Sequence, residues 1–180
     1  MASGTTSPGL AISAAFGASV AFVIDRLEGG DRQVTDTGGL TRFGISKRAH
    51  PRVDVETLTR LEAMAIYHAS YWTPIKADCL PRGLDLLLFD AAVNLGPPPA
   101  VRLLQEVLGV GVDGIVGPET IAAVKTFRPG SELRARFNER RERYYSDLAA
   151  SKPVYKPYLY GWRCRLFRVA DEAGRLGGAA

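Results

Sequence analysis

Cysteine and histidine are scarce in this 180-residue chain, which contains two of each. Cys79 and Cys164 are too few for a disulfide framework and do not form a CxxC pair, so we expect two reduced, partly buried thiols in a chain that folds in a reducing compartment. His50 and His68 fit no metal-ligand spacing, and a catalytic zinc site usually needs three protein ligands. The sequence therefore argues against a zinc hydrolase.

The chain also lacks a long hydrophobic run preceded by basic residues. Residues 10–24, LAISAAFGASVAFVI, are apolar, but no Lys or Arg precedes them and they are short for a membrane span. We therefore expect neither secretion by a signal of its own nor stable membrane insertion. The helical spacing of Phe16, Val20, Val23 and Leu27 instead predicts a buried first helix.

Charge of one sign is only slightly in excess, with 23 Lys and Arg against 19 Asp and Glu and a net charge of +4. This balance favours acidic partners weakly, and nucleic acid, anionic lipid and an anionic cell-wall polymer all fit it. The run RARFNERRERYY, residues 134–145, mixes arginine with aromatics as nucleic-acid elements do. The interleaved Glu139 and Glu142 favour a solvated, ion-paired helix face, so we do not expect nucleic-acid binding.

Hydrophobic residues make up 46% of the chain, enough for one well-buried core or two small lobes that share one. The Gly- and Thr-rich residues 29–46 predict a small β-hairpin. Thr59 with Glu62 predicts a capping box, and the glycine and prolines at 96–99 are expected to stop the preceding helix. Helices are predicted at about 55–72, 83–95, 100–108, from near 118, 131–149 and 157–174. We therefore expect a mainly helical α+β fold.

Residues 28–46, EGGDRQVTDTGGLTRFGIS, set a lone Glu, an Asp and a Thr around two pairs of glycines. If the first helix ends at Glu28, Gly29 takes the left-handed position that commonly closes a helix. A carboxylate at this negative helix end is unfavourable, which favours the protonated form that a general acid needs. A surface Glu28 with its carboxylate in water is an equally good interpretation of the residue alone.

Asp36 and Thr41 have ordinary explanations as a turn residue and a strand residue. Together with Glu28, however, they supply an acid, a second carboxylate and a hydroxyl able to hold a water molecule. These are the parts of an inverting glycoside hydrolase. A short hairpin after a helix can bring all three residues to one cleft.

The pattern E-G-G followed by D-x-G-G-x-T-x-x-G-I resembles the N-terminal motif of the glycoside hydrolase family 108 muramidases, and more loosely the Glu/Asp/Thr arrangement of phage lysozymes. The resemblance continues through Tyr71-Trp72 and FDAAVNLG at 89–96. It extends into LLQEVLGVGVDGIVGPET, which is similar to the predicted peptidoglycan-binding region that follows the catalytic motif in that family. The spacing after EGG is a residue shorter here, so Asp31 competes with Asp36 for the place of the second carboxylate.

The resemblance implies a lysozyme-like fold, with a catalytic muramidase lobe at 10–96 and a helical peptidoglycan-binding lobe at 97–176 packed on it. It implies cleavage of the β-1,4 bond between N-acetylmuramic acid and N-acetylglucosamine by a bacteriolytic endolysin of the bacteriophage type. Glu28 would protonate the glycosidic oxygen, while Asp36 with Thr41 positions a water. No cofactor is implied.

The resemblance also suggests substrate contacts. Asn94 and Gln105 match polar positions near the sugar groove of related lysozymes, and Tyr71 and Trp72 have rings able to stack on sugars, although each residue also has an ordinary structural explanation. The implied partner is bacterial peptidoglycan, bound by a monomer that stays cytoplasmic until a holin-like pore releases it. Two alternatives stay open: a lytic transglycosylase that uses Glu28 alone, and a peptidoglycan-binding module without catalysis.

Overall fold

The computed structural model of the chain describes residues 12–36 and 39–178, apart from the side chain of Asp36. The helices of this part are α1 (Ala14–Phe22), α2 (Arg60–Tyr67), α3 (Leu84–Leu95), α4 (Pro97–Leu108), α5 (Pro118–Thr126), α6 (Gly130–Ser151) and α7 (Leu159–Gly177). The strands are β1 (Val34–Asp36), β2 (Gly39–Arg42) and β3 (Ile45–Ser46). The predicted mainly helical α+β fold is confirmed.

The first helix begins at Ser13, whose hydroxyl accepts the backbone N–H of Phe16 at 3.1 Å. Such a side-chain cap satisfies one of the free N–H groups of the first turn. Phe16, Val20 and Val23 are buried as their spacing predicts. The helix does not simply stop, but widens into a π-helical turn at Val23–Leu27.

The three strands form one antiparallel sheet in the order β1-β2-β3. Val34 pairs with Thr41, and Thr41 pairs with Ser46 on its other side. The predicted hairpin is therefore present and carries a short third strand. The sheet is small because the chain returns to helix after Thr59.

The second helix begins at the capping box, five residues later than the expected start at residue 55. Thr59 Oγ1 accepts the Glu62 N–H at 3.3 Å, and Glu62 Oε2 accepts the Thr59 N–H at 2.8 Å. Apolar spacing suggested the longer helix, but the reciprocal cap fixes the start. A second π-helical turn, His68–Trp72, follows α2.

The third helix runs through the centre of the molecule, with residues 84–92 all buried. It ends at Gly96, which has a φ of 88°. The expected start of the next helix at residue 100 is wrong, because α4 begins at Pro97. Proline fits a first helical turn, where its missing N–H is not required.

The long C-terminal helices α6 and α7 pack against each other and against α3. One hydrophobic core includes Phe16 and Phe89 together with Phe137 of α6 and Val169 of α7. The C-terminal helices thus pack on the N-terminal part of the chain and share its core. A lobe boundary at residue 96 stays a prediction.

In the described ranges, no helix combines the length and the apolar character that crossing a bilayer requires.

Candidate active site

Glu28 lies directly after the π-helical turn that extends α1. Its backbone N–H donates to Val23 O at 3.0 Å, and Gly29 and Gly30 follow with φ values of 79° and 67°. Positive φ is costly for a residue with a Cβ, so the glycines allow the helix to end here. The helix end expected at Glu28 is present. π-helical turns are rare and often lie at functional sites.

The loop between β2 and β3 lies against the Glu28 side chain. A Cβ atom on Gly44 would lie 2.6 Å from Glu28 Cγ and 2.4 Å from Tyr67 Oη, and Gly44 has a φ of 78°. Tyr67 Oη donates to Phe43 O at 2.9 Å, which ties the loop to α2. Position 44 therefore requires glycine for both its space and its backbone conformation.

If Glu28 is the predicted general acid, we expect Gly44→Ala to reduce turnover by roughly 10²-fold, because the new methyl group displaces the Glu28 side chain and a misplacement of about 1 Å costs a reaction this much. Turnover of purified peptidoglycan by the two proteins measures the effect. Gly109→Ala is the matched control, since Gly109 has a φ of 69° and open space at its Cβ position. If both variants lost activity equally, backbone strain rather than the contact with Glu28 would be the cause.

Arg165 of α7 pairs with Glu28 across 137 residues of sequence. Its Nη1 donates to Glu28 Oε1 at 2.7 Å, and its Nε donates to Asp90 Oδ1 at 2.8 Å. The side chains of Arg165 and Glu28 are 16% and 20% exposed, so the pair lies at the edge of the solvent. A planar guanidinium held by two carboxylates has a fixed orientation and in turn fixes the Glu28 carboxyl group.

The Asp90 carboxylate is also bound by Arg141 of α6. Arg141 Nη2 donates to Asp90 Oδ2 at 2.6 Å, and neither side chain has exposed surface. Burial opposes the ionisation of Asp90, but the charges and hydrogen bonds of Arg165 and Arg141 outweigh it and hold the pKa of Asp90 below its usual value. Burial likewise opposes the charge of Arg165, yet Asp90 and Glu28 raise the pKa of Arg165. Asp90, Arg141 and Arg165 thus form a connected network of charged side chains, and Glu28 contacts it through Arg165.

Tyr71 lies in the π-helical turn that follows α2. Its burial, and then the negative charge of Glu28, raise the pKa of Tyr71. Tyr71 Oη lies 3.1 Å from His50 Nε2, and the ring centroids of Tyr71 and Tyr67 are 5.8 Å apart. The structure thus brings Tyr71 to the site, and its contact with substrate stays a prediction.

The sheet carries the other two predicted catalytic residues. Asp36 ends β1 opposite Gly39, and Thr41 pairs with Val34 on the same two strands. The side chain of Asp36 lies outside the described part of the structure. Thr41 is half-buried, and its Oγ1 lies 3.5 Å from Gly39 O. Their catalytic roles stay predictions.

Asp31, the competing second carboxylate, is engaged in an ion pair. Arg42 Nε donates to Asp31 Oδ1 at 2.6 Å, and the Asp31 side chain is 67% exposed. Arg42 Nη1 also donates to Glu56 O at 2.9 Å. Arg42 of β2 thus links Asp31 to the loop that carries Glu56.

Trp72 and Gln105 lie in the interior and not in a sugar groove. Trp72 has no exposed surface and its Nε1 donates to Asp78 Oδ2 at 2.9 Å. Gln105 is 1% exposed and its Nε2 donates to Asp113 Oδ1 at 2.7 Å. Because buried side chains do not contact a glycan, both predicted substrate contacts are corrected to structural roles. Asn94 is exposed near the end of α3, and its role stays a prediction.

The thiols of Cys79 and Cys164 are free, the first exposed and the second half-buried. In the part of the chain that the structure describes, His, Cys, Asp and Glu side chains form no group of three or more that could hold a metal ion.

Sequence reasoning missed Gly44, Tyr67, Asp90 and Arg165 as parts of this site. Asp90 carries a signal, since it stands alone among apolar residues in LLLFDAAV and a buried carboxylate needs a partner. Arg165 carries none, because nothing in the sequence links one arginine of the last helix to a glutamate 137 residues earlier.

The sequence matches two family models in succession. Residues 21–96 match the model described as "Glycosyl hydrolase 108", and residues 99–167 match the one described as "Predicted Peptidoglycan domain". A comparison with proteins of curated function gives no match. Among solved structures, SagA of Brucella abortus is similar, with a TM-score of 0.79 and 27% sequence identity over 92% of this chain and 97% of that chain. The first model covers Glu28, Gly44, Tyr67 and Asp90, whereas Arg165 comes from the second.

Proposed function

We propose that this chain, whose residues 21–96 match the glycosyl hydrolase 108 model, is a member of that family and cleaves the β-1,4 bond between N-acetylmuramic acid and N-acetylglucosamine. The match to this model supports a glycoside hydrolase, and the match of residues 99–167 to the predicted peptidoglycan domain supports peptidoglycan as its partner. Of the glycosidic bonds in that polymer, the muramidase bond is the one that the E-G-G and D-x-G-G-x-T motifs support. The position of the Glu28 carboxyl group is the observation on which the proposal depends.

Glu28 is proposed as the general acid. Its position suits the role, because the side chain is 20% exposed and lies between Gly44 and Arg165. Arg165 binds Oε1, so Oε2 is the oxygen proposed to carry the proton to the glycosidic oxygen. The protonated group keeps its carbonyl oxygen as an acceptor for Arg165, so the side chain stays aimed while it delivers the proton.

Asp36 with Thr41 is proposed to hold the water that attacks the sugar from the opposite face. Asp36 is preferred to Asp31 because Asp36, and not Asp31, is the acidic residue of the D-x-G-G-x-T motif. In this assignment the enzyme inverts the anomeric centre, which requires carboxyl groups roughly 6.5–9.5 Å apart to leave room for the water. Tyr71 borders the same site from the π-helical turn after α2.

The masses of fragments released from purified peptidoglycan test the function. A muramidase releases muropeptides with a hydrated reducing end, and we expect this product from the wild type. Anhydro ends would instead identify a lytic transglycosylase that uses Glu28 alone. If the protein bound peptidoglycan and released nothing, the chain would be a binding module and the proposed activity would be lost.

We propose that the enzyme acts as an endolysin, reaching the wall from the cytoplasm through a holin-like pore. The resemblance to phage-type muramidases supports this role, and the net charge of +4 suits adsorption to an anionic wall. Lysis of cells that express the protein with a pore-forming partner, and no lysis when the pore is withheld, is the expected result.

A further inference from the structure

Aromatic rings cluster where the chain passes from α6 to α7. A 3₁₀-helical segment, Pro153–Tyr158, joins the two helices. The Trp162 ring on α7 is stacked with Tyr145 of α6, at 4.9 Å between centroids, and with Tyr158, at 6.1 Å. Tyr155 contacts the same ring at 6.0 Å. The rings thus hold one another in a fixed arrangement.

This cluster is closed at one end and open at the other. Tyr145 is 2% exposed, whereas Tyr158 is 50% exposed. Trp162 and Tyr155 lie between them, half-buried. Packing alone does not explain why the Tyr158 ring at the end of the stack is exposed, since covering its apolar face would be favourable. The flat, pre-ordered rings are suited to a ligand with flat apolar faces and polar edges.

The cluster lies on the side of α7 that carries Arg165. Trp162 and Arg165 are three residues apart on α7, which places them on one side of that helix, and Tyr158 is the residue that caps the start of α7. With a rise of about 1.5 Å per residue, Tyr158 lies roughly 10 Å along the helix from Arg165. Arg165 contacts the proposed catalytic acid, Glu28. Tyr158 therefore lies within two helical turns of the arginine that holds this acid.

Basic side chains border the same surface. Lys156 lies on the segment that carries Tyr155 and Tyr158, Lys152 directly precedes that segment, and both lysines are exposed. The whole cluster also falls within residues 99–167, which match the predicted peptidoglycan domain. Sugar faces for the rings and carboxylates for the lysines are both present in a glycan strand with peptide stems.

We propose that Tyr155, Tyr158 and Trp162 form a glycan-binding platform that holds the peptidoglycan strand beyond the bond placed at Glu28. This inference rests on the proposed function and assigns residues to the binding of the same polymer. Tyr158 provides the outer stacking face, Trp162 supports it from behind, and the lysines interact with stem carboxylates. The platform positions the strand and takes no part in proton transfer.

The test is the binding of Tyr158→Ala to purified peptidoglycan, measured by co-sedimentation in a Glu28→Gln background so that the polymer stays intact. We expect the dissociation constant to rise by about tenfold, which corresponds to 1.4 kcal/mol. Tyr160→Ala is the matched control, because Tyr160 is a neighbouring tyrosine that is 80% exposed. Its binding should equal that of Glu28→Gln alone.

Two further measurements separate a binding role from a folding role. Tyr158→Phe keeps the ring and should bind as tightly as the parent, and thermal unfolding should show that Tyr158→Ala is folded at the assay temperature. In the active enzyme, Tyr158→Ala should raise KM with kcat unchanged, as loss of uniform binding does. Glycan strands stripped of their peptides by an amidase should still show the difference, since the rings contact sugar.

Equal binding by folded Tyr158→Ala and Tyr160→Ala would overturn the platform and leave the muramidase intact. The platform would also be overturned if the difference in binding vanished on peptide-free strands. Conversely, if the wild type released no fragments but bound peptidoglycan more tightly than Tyr158→Ala, the catalytic proposal would fail and the platform would stand.

Discussion

We expect Glu28→Gln to lower kcat for the release of soluble fragments from peptidoglycan by about 10³-fold or more. The amide keeps the shape of the side chain and accepts the Arg165 hydrogen bond at Oε1, but it has no proton to give to the glycosidic oxygen. General acid catalysis typically contributes about 10²–10⁴-fold, so loss of the acid alone has this effect. Turnover at saturating peptidoglycan is the measurement.

Glu119→Gln is the control for Glu28→Gln. Glu119 is exposed in the first turn of α5, so the same chemical change there should leave kcat unaltered. Binding of Glu28→Gln to peptidoglycan should match that of the wild type, because the variant removes a proton and not a surface. Retention of more than about a tenth of the wild-type kcat would show that another group is the acid.

Asp90→Asn destabilises the protein by about 3–5 kcal/mol, because it leaves Arg141 buried without a counter-charge. Arg141 and Asp90 have no exposed surface, and their ion pair joins α6 to α3. For a chain of this size, about 2–4 °C of Tm is lost per kcal/mol, so Tm should fall by roughly 10 °C. Thermal unfolding followed by circular dichroism gives the value.

The double variant Asp90→Leu/Arg141→Met tests whether the uncompensated charge is the cause. Removing both partners of a buried ion pair is often close to neutral, so we expect the double variant to be more stable than Asp90→Asn. As a surface control, Glu139→Gln breaks the exposed pair with Arg143 and should change the free energy of unfolding by no more than about 1 kcal/mol. If Asp90→Asn also changed the free energy of unfolding by no more than about 1 kcal/mol, the stabilising role assigned to the buried Asp90–Arg141 pair would be contradicted.

The pH dependence of unfolding gives a second measure of Asp90. Its pKa in the folded protein is below the ordinary value of 3.8, so the folded state binds the proton less well than the unfolded state. The ionised carboxylate therefore contributes stability above pH 3.8, and this contribution is lost as the pH falls through the folded pKa. In Asp90→Asn, the part of the loss of stability at low pH that is due to this carboxylate should be missing.

The connected ion pairs link the C-terminal helices to the proposed catalytic acid. Arg165 joins Glu28 to Asp90, and Asp90 joins both to Arg141, so the end of the first helix meets α3, α6 and α7 at one cluster of charges. The region described as a peptidoglycan domain is thus in direct contact with the proposed acid. Glu28 is held by a helix that begins outside the matched hydrolase region.

Local features of this protein are readable from neighbouring residues in the sequence. The end of the first helix at Glu28 follows from Gly29 and Gly30, and the start of α2 follows from Thr59 and Glu62, because each depends on residues within a few positions. The small sheet, the start of α5 and the family resemblance were likewise readable from adjacent residues. The helix start expected at residue 55 was wrong, since apolar periodicity marks a face better than it marks an end. The start expected at residue 100 was wrong because prolines also fit a first helical turn.

Which side chains contact one another depends on the packed fold and cannot be read from a short stretch of the sequence. Trp72 and Gln105 have types suited to a sugar groove, yet packing against α1 and hydrogen bonding to the 113–120 segment bury them. Gly44, Asp90 and Arg165 gained roles because separate segments converge on Glu28. Pairings such as Arg165 with Glu28 are set by how helices pack in the shared core, and that depends on many side chains at once rather than on any spacing along the chain.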